Sequence, residues 1–432
     1  MSQKDNMNRR KFLKTTAGLA AGTLSFPYFV PASALGKNGS AAASNRITMG
    51  CIGVGGMGTG DMRGFLESGE VQVLAVCDVD AKHRERARTI VNSRHGKNDC
   101  DAYNDFREII SRDDIDTVSI GTPDHWHAIV AIAAARAGKD IHCQKPLAYT
   151  IGEGRAMCDA VKKHNVVWLT GSQQRSGRNF RYACELVRNG RIGRVHTVQV
   201  GLPNTNSIHN KGTDPVPVPE VFDYDMWLGP APAVPYCPSR CHWNFRWISD
   251  YSGGQITDWA GHHCDIAQWG MGTEYTSPVE IEGRGVFPRD TMFDTVENYR
   301  FKCKYAEGFM MIVAGAFTRG VKFIGTDGWV FVSRGKIDAK PKSLLKSEIG
   351  PNEIHLYQSN NHKQNFIDCV RSRRPTVAPI EVAHRSIMIG HLGVIAIKLG
   401  RKLHWDPKKE RFTNDPEANR MLLRPMRSPW HL

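Results

Sequence analysis

An apolar run that ends in three glycines, residues 47–58 (ITMGCIGVGGMG), constrains this chain more than any other stretch. Gly53, Gly55 and Gly58 stand in the pattern G-x-G-x-x-G directly after a candidate strand. Gly53 allows the tight turn out of the strand, Gly55 the close approach of backbone to a pyrophosphate, and Gly58 the packing of helix on sheet. Gly56 and Met57 complete the loop, and the phosphates of a dinucleotide would sit at the N-terminus of the helix that follows. A second apolar strand at 71–77 ends in Asp78, where a ribose-binding acid belongs. Asp78 would accept hydrogen bonds from both ribose hydroxyls and repel a 2′-phosphate, so NAD is favoured over NADP. Lys82 and Arg84 keep NADP as the lesser alternative.

Strand and helix patterns then alternate: helices at 60–70, 82–95 and 128–137, strands at 116–120 and 139–143. This predicts a parallel, doubly wound α/β sheet whose ligands bind at the carboxyl ends of the strands. Thr122, Pro123 and His127 follow one strand end, and Gln144, Lys145 and Pro146 follow the next, so both groups face the cofactor crevice. Taken alone, Lys145 reads better as a surface lysine at a strand end.

The glycine loop, Asp78, Thr122-Pro123 with His127, and Lys145-Pro146 occur in the order and spacing of the glucose-fructose oxidoreductase and inositol dehydrogenase family, which this chain resembles over most of residues 46–406. The resemblance implies an N-terminal Rossmann domain joined to a C-terminal α+β domain built on an open, mostly antiparallel sheet. It also implies that Gln144 stands where such enzymes usually carry a glutamate, which removes a negative charge near Lys145.

Residues 251–265 (YSGGQITDWAGHHCD) form the second anchor. Asp258 and His262 are spaced i to i+4 and so share one helical face. A carboxylate beside an imidazole raises its basicity and orients it. Hydride transfer from a carbinol carbon requires the hydroxyl proton to leave, and His262 would take it. Lys145 would stabilise the developing alkoxide, while Asp258 would hold the histidine or a second hydroxyl. These are also the roles that the resemblance implies. A metal held by His262 or His263 with Asp258 or Asp265 is the lesser alternative, and no metal is assigned. Asn244, Arg246, Gln174, Arg175 and His263 are candidate substrate-binding residues, since amide and guanidinium donors among aromatics suit a polyhydroxylated ring.

Past this point, alternating apolar and polar residues over 279–332 predict a half-buried antiparallel sheet, followed by helices at 361–371 and 381–399. The domain division is a signal at 1–36, a linker at 37–45, a cofactor domain at 46–170, a substrate and oligomerisation domain at 171–406, and a C-terminal tail at 407–432. Residues 202–238, rich in proline, read as an excursion from the second domain.

Arg9 and Arg10 within NRRKFLK, a mildly apolar stretch and Ala32-Ser33-Ala34 read as a twin-arginine export signal. That places the mature protein in the periplasm or outside the cell, with the twin-arginine export machinery as a partner. Because that route carries folded cargo, NAD would be acquired before export and held tightly. The formal charge of +14 is carried by dispersed Lys and Arg with no nucleic-acid motif beside them, so no nucleic-acid partner is assigned. Eleven cysteines without a C-x-x-C pair read as buried thiols, with Cys237 and Cys241 a loop pair open to a disulfide or a metal. The functional expectation is an exported, NAD-dependent dehydrogenase that oxidises a ring hydroxyl of a sugar or glycoside, and a homo-oligomer. The alternatives are a redox-neutral NAD-dependent glycosidase and a non-catalytic sugar-binding protein.

Overall fold

The computed structural model describes residues 45–432; the signal at 1–36 and all but the last residue of the linker at 37–45 lie outside the described residues. The strands β1 (Ile47–Ile52), β2 (Val71–Cys77), β3 (Asp101–Tyr103), β4 (Thr117–Ile120), β5 (Asp140–Cys143) and β6 (Trp168–Thr170) form one parallel sheet in the order 3-2-1-4-5-6. Every residue of β4 and β5 is buried, as expected for strands covered by helices on both faces. The strand order reverses between β1 and β4, which opens the crevice at their carboxyl ends where ligands of such sheets bind.

The helix after the glycine loop spans Gly56–Leu66, four residues earlier than the sequence pattern placed it. The next helix after β4 likewise begins at Asp124, so His125, Trp126 and His127 lie in its first turn rather than in a loop. Pro123, extended at φ −61°, sets that helix start.

The second sheet comprises β7 (Val195–Gly201), β8 (Glu280–Val286), β9 (Glu297–Lys304), β10 (Met310–Ala314), β11 (Gly320–Gly325), β12 (Trp329–Ser333), β13 (Lys336–Lys340), β14 (Leu403–Asp406) and β15 (Arg411–Phe412). Its order is 13-12-11-7-10-9-8-14-15, and all neighbours are antiparallel except β7 with β10. Strand β9 shows why one face is covered: Tyr299, Phe301 and Cys303 are buried while Arg300, Lys302 and Lys304 point to solvent. The covered face packs the helices Gly254–Met271 and Ile380–Leu399, which join both domains into one continuous core.

The C-terminal tail crosses back over the first domain. Arg424 pairs with the buried Glu153 at 2.8 Å, and the Trp430 ring meets Trp126 edge-on at 4.7 Å. The proline-rich excursion carries a short helix, Tyr224–Leu228, and is stitched to the first domain beside Asp80 by an antiparallel bridge to Phe222.

Two glycines of the loop answer steric demands. Gly53 holds φ +76°, and a Cβ there would lie 2.6 Å from the Thr122 nitrogen. At Gly58 a Cβ would fall 1.8 Å from the Gly53 carbonyl oxygen, whereas at Gly60 it would meet nothing within 4 Å. We expect Gly58→Ala to cost about 2 kcal/mol or more by forcing the loop off the helix, and Gly60→Ala to stabilise by about 0.5–1 kcal/mol. Chemical denaturation of the two variants checks this contrast.

Candidate functional site at the domain cleft

The carboxyl ends of β1, β2, β4 and β5 open into a cleft of about 430 Å³. Its floor is Gly53, Gly55, Gly56 and Met57 from the glycine loop, with Asp78, Thr122, Pro123, Gln144 and Lys145 around it. Gly58 sits behind the loop. Asp78 is braced by the loop itself, its carboxylate accepting from Val54 N and Asp80 N, both at 2.9 Å. Thr122 Oγ1 is buried and has no partner among the described residues, as expected of a hydroxyl that a ligand would satisfy. These features fit a dinucleotide.

His127 does not reach the cleft. Its two ring nitrogens lie 2.9 and 2.8 Å from the carbonyl oxygens of Thr122 and Pro146, so it ties together the two loops that carry Thr122 and Lys145. It is a positioning residue, and the sequence reading of direct cofactor contact is corrected.

Lys145 and Asp258 meet across the cleft. Lys145 Nζ lies 2.7 Å from Asp258 Oδ1 and 3.2 Å from the Asp258 carbonyl, and each side chain is 14% exposed. Burial alone would push the Asp258 carboxyl up, but Lys145 and Arg246 outweigh it and hold Asp258 below the usual carboxylate range. Arg246 Nε is 3.8 Å from the same oxygen, its guanidinium stacked on Phe245 and Trp243.

His262 is buried one helical turn beyond Asp258, and its Nδ1 has no partner among the described residues. The expected basicity gain from Asp258 is absent because Asp258 is engaged by Lys145. Burial, then the positive charge of Lys145, pushes the His262 pKa well below its ordinary value, so the ring is neutral at pH 7 and free to accept a proton.

Three candidate substrate residues prove structural. Arg175 is buried, holds Asp265 with two hydrogen bonds at 2.6 and 2.9 Å and Glu274 at 2.8 Å, and stacks on Trp269. Asn244 uses its amide to tie the excursion to the segment that follows it, donating to the His209 and Ser239 carbonyls and accepting from His209 N. His263 Nδ1 lies 2.9 Å from the Gly201 carbonyl oxygen and anchors the helix to β7. Asp265 and His263, two members of the lesser metal alternative, are thus held by Arg175 and by the Gly201 carbonyl. Gln174 is buried with both amide atoms unpartnered among the described residues, and Ser172 beside it donates to the Gly261 carbonyl near His262. Cys237 and Cys241 are free and buried.

Sequence reasoning missed the far wall of the cleft. Phe222, Met226 and Trp227 line it, and His242, just past the excursion, meets His83 edge-on with ring centroids 5.0 Å apart. Those imidazoles and Asp80 place ligand atoms within 4.8 Å of one another. Asp124 was missed as well. It lines the cleft, accepts from Ser252 Oγ at 2.6 Å, and burial pushes its pKa up to about 7. Nothing local in the DHWH segment signalled this, since the shift comes from burial that the whole fold creates.

Gln144 resolves a second point. Its Nε2 donates to Asp61 Oδ2 at 2.6 Å, and Asp61 also pairs with Lys363 at 3.3 Å. The negative charge missing at position 144 is thus supplied by Asp61, and a glutamate there would confront it.

A phosphate-binding glycine loop, a ribose-side acid and an ion pair across a two-domain cleft define a dinucleotide-binding α/β scaffold. Residues 47–172 match the model described as oxidoreductase family, NAD-binding Rossmann fold, and residues 203–432 match oxidoreductase family, C-terminal alpha/beta domain. The chain therefore belongs to the Gfo/Idh/MocA oxidoreductase family. It is 47% identical over 91 residues to a levoglucosan dehydrogenase of Pseudarthrobacter phenanthrenivorans, a stretch covering 21% of this chain and 23% of that protein. It is 30% identical over 204 residues to an alpha-N-acetylgalactosaminidase of Shewanella oneidensis, 44% of each chain. The chain thus spans less than half the length of either curated relative. A levoglucosan dehydrogenase solved with NADH and levoglucosan shares the fold, with a TM-score of 0.61 and 20% identity over 83% of this chain and 99% of that one.

The Gln144–Asp61 pair makes a direct prediction. Gln144→Glu sets two buried carboxylates against each other and costs about 1–3 kcal/mol at pH 8, and adding Asp61→Asn restores most of the loss. Urea unfolding of the single and double variants reads the coupling.

Proposed function

We propose that this protein is an NAD-dependent oxidoreductase that oxidises a ring hydroxyl of a sugar or glycoside, giving a keto sugar. The observation that carries the reading is the Lys145–Asp258 pair at the end of the cleft, with neutral His262 one turn away. Gly53, Gly55, Gly56, Asp78 and Thr122 would hold the dinucleotide, which when bound supplies the hydride acceptor. Lys145 would hold the reacting hydroxyl and stabilise its developing negative charge, and His262 would take its proton. Asp258 orients Lys145. Arg246 and Gln174 would bind other hydroxyls of the ring. A 3-keto product is the regiochemistry we favour.

The excursion supports tight retention of the cofactor. Ala81 N donates to the Val221 carbonyl at 2.9 Å, Asp223 N to the Val79 carbonyl at 3.0 Å, and Asn104 Nδ2 to Asp223 Oδ2 at 2.7 Å, closing the cleft over its Asp78 side. Such closure suits a protein loaded with NAD in the cytoplasm and exported folded by the twin-arginine route. We also propose a homo-oligomer joined through the open sheet face, where Met310 and Ile312 of β10, Ile324 of β11 and Phe331 of β12 stand half-buried.

A second reading, a redox-neutral glycosidase in which the same hydride returns, is favoured by the resemblance to an alpha-N-acetylgalactosaminidase and by the strapped cleft. Protein purified without added nucleotide should release NAD on denaturation, and one sugar of a panel should reduce it in place. Cleavage of glycosides without accumulated NADH would instead select the second reading. Lys145→Met should slow hydride transfer by about 10²–10⁴-fold; a sugar-binding protein without catalysis would show no turnover before or after the change. If no dinucleotide is released and none binds, the cofactor assignment fails.

The pH profile follows from His262. Because its pKa is lowered, the neutral base persists through pH 6.5 and is lost only at lower pH. Single-turnover reduction of bound NAD should therefore stay flat from pH 8 through 6.5 and fall only well below it.

A further inference from the structure

The helix Gly254–Met271 carries Asp258 and His262 one turn apart, and Trp259 follows Asp258 directly. The Trp259 ring lies 5.9 Å from the His262 ring and 5.4 Å from that of His263. Two guanidiniums stack on it: Arg319, just ahead of β11, with Cζ 4.7 Å from the ring centroid, and Arg334, in the turn between β12 and β13, at 5.0 Å. Both arginines are exposed, and neither makes a hydrogen bond or an ion pair among the described residues.

Elsewhere the fold pairs well-covered arginines with carboxylates. Arg175 takes Asp265 and Glu274, and Arg155 takes Glu381 and Glu410. Here two like charges share one indole without a counter-ion. The cost is visible in Arg334, whose pKa is lowered by partial burial and by Arg319. The field of Arg334 also reaches the reacting groups, since it helps to lower both Asp258 and His262. The carboxylate nearest this pair, Asp258, is already held by Lys145 and Arg246. The substrate side of the site therefore carries unbalanced positive charge on rigid aromatic support.

We infer that the sugar oxidised at this site is anionic, a uronic or aldonic acid whose carboxylate lies between Arg319 and Arg334 above Trp259 while its ring hydroxyl meets Lys145. The inference rests on the dehydrogenase reading and narrows its substrate class. A carboxylate matches the planar forks of two guanidiniums, and the anion would relieve the repulsion between them. Arg319 and Arg334 then set specificity, and the hydride and proton steps are unchanged.

The test uses the protein as isolated, with its bound nucleotide, at low ionic strength. Calorimetric titration and steady-state kinetics would compare glucuronate, glucose and glucose 6-phosphate on wild type, Arg319→Gln, Arg334→Gln and Arg334→Lys. The expected result is that glucuronate is preferred over glucose, chiefly through KM and binding. Either glutamine variant should cut that preference by about 10–100-fold, the worth of a charged hydrogen bond. Arg334→Lys, which keeps the charge but not the fork, should recover part of it. Because both side chains are exposed, the variants should melt like wild type, and circular dichroism checks this. Equal binding of glucose and glucuronate, or a preference that the variants leave intact, would overturn the inference, and preference for glucose 6-phosphate would reassign the anion to phosphate and overturn the carboxylate. Oxidation of neutral sugars alone defeats this inference and leaves the dehydrogenase reading standing. Arginine-dependent glucuronate binding without any NAD reduction does the reverse.

Discussion

The site depends on one ion pair that neither domain could make alone. Lys145 follows β5 of the parallel sheet, and Asp258 belongs to a helix lying on the second sheet, yet their charged atoms are 2.7 Å apart. A pair this well covered is a poor source of net stability, because two ions must leave water to form it. Removing one partner would still cost about 3–5 kcal/mol, since the other charge would stay buried and unpaired. The pair therefore acts as a register mark between the domains. It fixes where the lysine stands relative to the glycine loop, and His127 reinforces this by tying the loops at Thr122 and Pro146.

The excursion supplies a third wall that neither sheet provides. Its aromatic residues Phe222, Tyr224 and Trp227 form a small core with Phe245 and Trp247 of the segment that follows it. That core lets a proline-rich segment hold a fixed shape without regular structure, since its backbone groups are paired to the first domain and its rings are buried. The same rigidity keeps Arg246 stacked and aimed at Asp258. In physical terms the cleft is closed by packing at one end and by charge at the other.

Much of this was legible in the chain. The glycine spacing, Asp78, and the lysine after β5 are local signals whose chemistry follows from position in a parallel sheet, and the D-x-x-x-H spacing is a local helical one. What failed was the assignment of polar residues whose role is decided by distant partners. Arg175 and Arg246 look alike in sequence, but one meets Asp265 and Glu274 in the core and the other faces the cleft. Asn244 was similarly misread, because a side-chain amide that joins loops and one that binds a sugar have the same composition. The exchange at Gln144 was intelligible only once Asp61, 83 residues earlier, was placed against it.

The same long-range placement separates two carboxylates in one cleft. Asp258 and Asp124 are both buried, but Asp258 faces Lys145 and Arg246 and is driven down, while Asp124, with only a Ser252 hydroxyl for a donor, is pushed up to about 7. Each raises the cost of ionising the other, and the cations settle which one carries the charge. Pairs of acids driven apart in this way commonly mark acid and base roles. Asp258 is committed to fixing Lys145 and so is poorly suited to carry protons. Asp124 can change its proton near neutrality, and His262 is held neutral first by its burial and then by the positive charges of Lys145 and Arg334. In the proposed reaction a proton leaving a hydroxyl at Lys145 would meet an imidazole kept empty first by its burial and then by the charge of Lys145, while Asp258 stays committed to the ion pair that joins the domains.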